Sequence, residues 1–161
     1  MQKQLEQAVE LRKKGDLAAS NQLLLELVQT YPEDAQIQYQ CAWSFDVMGE
    51  ERAAVPYYER AIRLGLTGED LEGALLGLGS TYRTLAQYEK SAEVFRKGME
   101  QFPGHQALQV FYAMTLYNLQ RHEEAMQILL TCLAETSQEQ SIQDYAKAIR
   151  FYADKLDQVW E

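Results

Sequence analysis

The chain has 161 residues, 47% of them hydrophobic, and a formal net charge of −9. That length suits one domain or a short repeat array, and that apolar content argues against global disorder. The acidity argues against nucleic acid or an anionic membrane as partner, because both are held by Lys and Arg against phosphate; its expected role is solubility.

Ala, Leu, Gln and Glu dominate and favour helix, so the expected class is all-α. Four helical hairpins are predicted in chain order, over residues 1–34, 35–68, 72–105 and 106–136. The first carries LRKKGDLAASNQLLLELVQTYPEDAQ from Leu11, and the second FDVMGEERAAVPYYERAIRLGL from Phe45. The third carries YRTLAQYEKSAEVFRKGMEQFPGHQ from Tyr82, and the fourth LYNLQRHEEAMQILLTCLAET from Leu116. Each places a large residue shortly before a turn, and a second apolar-periodic segment after it. Gly15 and Gly49 are 34 residues apart, as are Ala86 and Gln120 at the same place in the later units. Gly49 to Ala86 is 37, so three extra residues enter between the second and third units. There Gly65 suits a left-handed helix end, and Thr67 to Asp70 resembles a capping-box start. The third unit is therefore expected to open with a helix about one turn longer. Within the fourth unit, Leu108, Phe111, Tyr112, Thr115 and Leu116 fall at helical spacing, as do Ala125, Ile128, Leu129 and Cys132. Short turns make paired helices antiparallel neighbours. The stretch SQEQSIQDYAKAIRFYADKLDQVW has the apolar spacing of a first helix and runs on without a turn. A single long capping helix over about residues 138–160 is predicted, to cover the end of the stack.

No cluster carries chemistry. Cys41 and Cys132 sit in apolar helical stretches and read as free buried thiols of a reducing compartment. His105 and His122 read as exposed loop residues without a second ligand at helical spacing. GALLGLGS, from Gly73 to Ser80, lacks the ending and the preceding strand of a phosphate loop; Gly79 has a packing place, whereas Gly73 and Gly77 call for close packing or a partner's approach. Glu50–Glu51 and Glu123–Glu124 open second helices and complement the dipole. No catalytic residue, metal or cofactor is expected, and the chain is not read as an enzyme. The start MQKQLEQAVELRKKG has no apolar signal region and no stretch reaches membrane-spanning length, which points to the cytoplasm.

The pattern resembles the tetratricopeptide repeat (TPR) family, whose 34-residue unit sets large and small residues at fixed offsets. The third unit carries it as Leu75, Leu78–Gly79, Tyr82, Ser91, Phe95, Gly98 and Pro103. The second carries Gln38, Cys41–Ala42, Phe45, Ala54, Tyr58 and Ala61, with Leu66 in place of proline. The fourth carries Gln109, Tyr112–Ala113, Leu116, Ala125, Leu129 and Cys132. The first is weakest: Gln4, Gln7–Ala8, Leu11, Ser20, Leu24, Leu27 and Pro32. YQCAWSFDVMGEERAAVPYYERAI and GALLGLGSTYRTLAQYEKS further resemble small stand-alone bacterial TPR proteins.

The resemblance implies a right-handed α-solenoid of four hairpins and a non-catalytic adaptor that binds a protein or peptide segment. It also implies that first helices line a concave groove. That gives Tyr39, Trp43 and Asp46, with Val47 beside them; Leu76 and Arg83, with Ser80 and Thr84; and Val110, Met114, Tyr117 and Asn118. The capping helix would add Lys147, Arg150 and Phe151, with Gln143. Aromatic and Arg side chains are enriched in binding hot spots. The competing reading is that Tyr39 and Trp43 only pack, with Asp46 paired to Arg83. Leu5 and Val9 stand where carboxylate-clamping members carry Lys and Asn, so no such clamp is expected. The alternative function is a self-associating scaffold, a homodimer formed through the C-terminal helix, with its Phe151, Tyr152 and Trp160, or through the groove.

Overall fold

The structure is a computed structural model and describes residues 1–160. Eight helices form four hairpins: α1 (Gln2–Lys13) with α2 (Leu17–Thr30), α3 (Ala35–Asp46) with α4 (Glu51–Arg63), α5 (Gly68–Thr84) with α6 (Tyr88–Gln101), and α7 (Gln106–Asn118) with α8 (His122–Thr136). Two short helices follow, α9 (Gln140–Asp144) and α10 (Ala146–Tyr152). The fold is an all-α solenoid. Each second helix packs on the first helix of the next hairpin, and successive first helices touch. Among the described residues no second helix makes a comparable contact with the next one, so the first helices form the closer-packed inner layer.

The hairpin turns share one geometry. Gly15, Gly49, Ala86 and Gln120 all have positive φ, of 87°, 75°, 58° and 61°. After each, an N–H reaches five residues back: Asp16 to Leu11 O (3.0 Å), Glu50 to Phe45 O (3.0 Å), Gln87 to Tyr82 O (2.8 Å) and Arg121 to Leu116 O (2.9 Å). This left-handed close satisfies carbonyls that the helix end leaves open. Asp34 and His105 end the next connections in equivalent places. Asp34 accepts from Ile37 N (2.9 Å), and His105 Nδ1 from Leu108 N (3.3 Å). His105 is thus a half-buried helix cap beside Glu72 (3.6 Å), not an exposed loop residue.

The inserted residues lengthen α5 to 17 residues, against 12 in α3. Thr67 is its N-cap, but the predicted capping box does not form: Thr67 makes no side-chain cap bond, and Asp70 accepts from Gln36 Nε2 instead (3.3 Å).

Glycines on α5 let large rings seat against its backbone. A Cβ at Gly79 would lie 2.6 Å from the Phe95 ring, which is fully buried. Gly77 meets Tyr58 and Gly73 meets Tyr39 in the same way, so packing accounts for both. Burying one such ring contributes about 1.5–3 kcal/mol. Where the family pattern asks for alanine, Ser20 and Ser91 donate to Ala8 O and Gly79 O across the hairpin (both 2.7 Å). The serine therefore crosses the hairpin without leaving a buried hydroxyl unpaired.

The single capping helix over 138–160 is not what forms. Tyr145, at φ −107° and ψ 6°, separates α9 from α10, and helix ends at Tyr152. A straight helix would hold Trp160 about 12 Å along the axis from Tyr152. Instead the chain turns back, and the Trp160 ring centroid lies 6.3 Å from that of Tyr152 and 5.9 Å from that of Phe151. Aromatic clustering and Lys155, which donates to Phe151 O (3.0 Å), replace further helix. Because α10 packs on α8 without a matching contact to α7, the face of α8 is only partly covered. Leu129, a motif position of the fourth unit, stays 36% exposed.

Candidate functional site

The turn geometry fixes a register on the inner layer. Arg12, Asp46, Arg83 and Tyr117 each stand three residues before a left-handed turn residue, one per hairpin. Around them the first helices set the other inner positions.

Tyr39 and Trp43 stack, with centroids 5.9 Å apart and planes at 25°. Their fates differ. Tyr39 is buried against Gly73 and Tyr58, whereas Trp43 is 40% exposed. The Arg12 guanidinium lies 4.0 Å over the Trp43 ring and donates to Gln40 Oε1 (2.6 Å). A planar cation on an indole face is an attractive, preorganised arrangement. Burial lowers the Arg12 pKa from its ordinary value, with Tyr39 and Tyr58 opposing. Arg12 is not among the groove residues that the resemblance implies. Its place three residues before Gly15 matches Asp46 before Gly49, and that spacing would have identified it.

Asp46 does not pair with Arg83. Its carboxylate accepts from Tyr58 Oη (3.0 Å) and Thr81 Oγ1 (3.1 Å), tying α3 to α4 and α5. Burial pushes its pKa up, and those two hydrogen bonds oppose the shift. Arg83 instead reaches Asn118 Oδ1 at 3.4 Å, and its buried Nε has no partner among the described residues. Leu76 and Val110 are half-buried, and Leu76 packs on the α6–α7 core. Met114 is 38% and Tyr117 62% exposed, the latter edge-on to His122 (4.7 Å). Lys147, Arg150 and Phe151 do not join this row, because α10 rests on α8. Arg150 points to Ala134 O (3.4 Å), and Phe151 belongs to the Trp160 cluster.

The thiols stand apart from this surface. Cys41 is buried, and burial pushes its pKa up to about 12. No group of three or more His, Cys, Asp or Glu side chains suited to a metal occurs among the described residues. Among the described residues no helix is long and apolar enough to cross a membrane.

A family model described as tetratrico peptide repeat matches residues 35–156. The chain belongs to the TPR family. Superkiller protein 3 of Saccharomyces cerevisiae is 30% identical over 108 residues, 63% of this TPR chain. The chain spans only 7% of that protein's length. A crystal structure of YrrB, described as a TPR protein with an unusual peptide-binding site, covers 90% of the chain at 14% identity, with a TM-score of 0.40. A TPR fold supports a protein–protein interaction module in general.

Proposed function

We propose that this chain is a non-catalytic adaptor that holds a peptide or protein segment along its first helices. The observation that carries the reading is Arg83: a half-buried guanidinium whose one hydrogen bond among the described residues is long, 3.4 Å to Asn118 Oδ1, flanked along the layer by exposed Trp43, Met114 and Tyr117. Its Nη1 is held by a single long contact, and a partner's carboxylate or carbonyl would replace that contact with a shorter, charge-assisted one. The Arg12–Trp43 stack offers a flat face for an aromatic or aliphatic side chain beside it. Aromatic, Arg and Met side chains are the types that concentrate binding energy.

The test is selection from a displayed random-peptide library on the intact chain, with W43A/R83A as the comparison. The expected outcome is a set of peptides that bind the wild type and lose at least tenfold affinity for the variant, whose far-UV circular dichroism is unchanged. Equal binding by the two proteins overturns the reading.

A second reading, self-association, draws support from α8. Met126, Leu129 and Leu133 form an exposed stripe at helical spacing, and the rings of Phe151, Tyr152 and Trp160 that follow in the chain are also exposed. Exposed apolar faces of this kind favour a second copy. Light scattering at rising concentration is expected to show a dimer that L129E/L133E reduces to monomer. A wild-type monomer at all concentrations removes it.

A further inference from the structure

A second surface lies on the opposite layer, where α4 and α6 lean on α5 without packing closely on each other. The gap is a trough of about 390 Å³. Its floor is apolar: Leu75 and Leu78 from α5, with Ile62 and Val94 on the flanking helices. Its lip carries Arg63, Lys90 and Lys97. The trough also carries two carboxylates, one fewer than its cations. Glu59 accepts from the Tyr82 hydroxyl, and Glu93 pairs with Lys97 (2.9 Å). Arg63 has no hydrogen bond or ion pair among the described residues, and Lys90 only lies over the Tyr82 ring at 5.4 Å. Two uncommitted cations therefore edge an apolar floor, on a chain whose net charge is −9.

The neighbouring trough between α2 and α4 is the internal comparison. It has the larger volume, about 520 Å³, but its own side chains span it. Arg60 crosses from α4 to pair with Glu33 and donates to Pro32 O (3.1 Å), while Gln38 donates to the same carbonyl (2.8 Å). No such bridge joins α4 to α6 among the described residues.

We infer that the α4–α6 trough is a second docking site, for an acidic segment of a protein partner that inserts one aliphatic side chain between Ile62 and Val94. The branched side chain is desolvated on Leu75 and Leu78, and flanking Asp or Glu side chains meet Arg63 and Lys90. Charge complementarity sets the choice of partner, and the apolar floor supplies the contact. The site is independent of the first-helix groove and is read at different residues.

The experiment titrates the full chain, labelled at its methyl groups for nuclear magnetic resonance, with a blocked heptapeptide of one central leucine flanked by glutamates. Saturable shifts at the Ile62, Leu75, Leu78 and Val94 methyls are expected, weakening as salt is raised. Replacing the leucine with alanine, or the glutamates with lysine, should abolish them. R63E/K90E should weaken binding by roughly tenfold or more, through reversal of two lip charges. Should R63E/K90E lose helicity by circular dichroism, R63Q/K90Q serves in its place, with a smaller loss expected. Shifts confined to the Met114 methyl, equal binding of the lysine peptide, or binding unchanged in the charge variants each overturn the inference.

Discussion

Gly77 leaves the space that the Tyr58 phenol fills: a Cβ built on Gly77 would stand 2.5 Å from Tyr58 Oη and 2.6 Å from its Cζ. The same hydroxyl donates to Asp46 at 3.0 Å. One glycine on α5 thereby seats a ring from α4 and holds a carboxylate from α3.

Gly77→Ala should therefore destabilise the protein. Forcing apart a packed contact costs about 1–3 kcal/mol, and alanine's helix propensity offsets up to about 1 kcal/mol of it. Gly79→Ala, against the buried Phe95 ring, should behave alike. Gly73→Ala should cost less, because its 2.2 Å conflict is with the tip of Tyr39 and the ring itself begins at 3.1 Å. Urea denaturation of the three variants checks the order. A Gly73→Ala loss as large as the other two would refute it.

The turns make the opposite prediction. Ala86 and Gln120 carry side chains at φ 58° and 61°, where Gly15 and Gly49 carry none. The left-handed region costs an L-residue about 1–2 kcal/mol, part of which glycine loses again in unfolded-chain entropy. Ala86→Gly and Gln120→Gly should each stabilise by about 0.5–1 kcal/mol. Gly15→Ala and Gly49→Ala should destabilise by a similar amount. Melting temperatures measured side by side decide it.

Asp46 should give the protein a distinctive acid response. Burial raises its folded pKa above the ordinary aspartate value. The folded state therefore binds the proton first as pH falls. The contribution of Asp46 to stability is fully present below the unfolded pKa and is lost as pH rises through the folded pKa. Asp46→Asn should flatten this part of the stability–pH curve. Asp46→Ala should cost about 1–3 kcal/mol at neutral pH, because it strands the Tyr58 and Thr81 hydroxyls. Denaturant midpoints from neutral pH down into the carboxylate range separate the three proteins.

Cys41 should be inert in the folded chain. With its pKa pushed up to about 12, almost no thiolate exists at mildly alkaline pH, and the group is buried. Burial also raises the Cys132 pKa. Ellman's reagent at mildly alkaline pH should react with both thiols roughly 100-fold faster in denaturant than in the native protein. Rapid native labelling of Cys41 would contradict the structure.

The inner row was partly legible in the sequence. Trp43, Met114 and Tyr117, which the family resemblance implies for the groove, stand exposed on first helices. Tyr39 is implied by the same resemblance yet is buried, because Gly73 on the next hairpin opens a space for it. Arg12 was missed in the weakest unit, although its distance from Gly15 repeats that of Asp46 from Gly49. The Asp46–Arg83 pairing failed because Tyr58 and Thr81 reach the carboxylate first.

Repeat period, turn positions and the longer α5 followed from sequence alone. They rest on local chemistry: helical periodicity, left-handed turn residues and a three-residue offset. Tertiary structure alone decided what covers the end of the stack. Apolar spacing implies one long final helix. Of the eight hairpin helices α10 packs on α8, and Phe151, Tyr152 and Trp160 cluster where a straight helix would have held Trp160 away from the other two. That clustering depends on contacts between residues far apart along a helix, which periodicity does not encode.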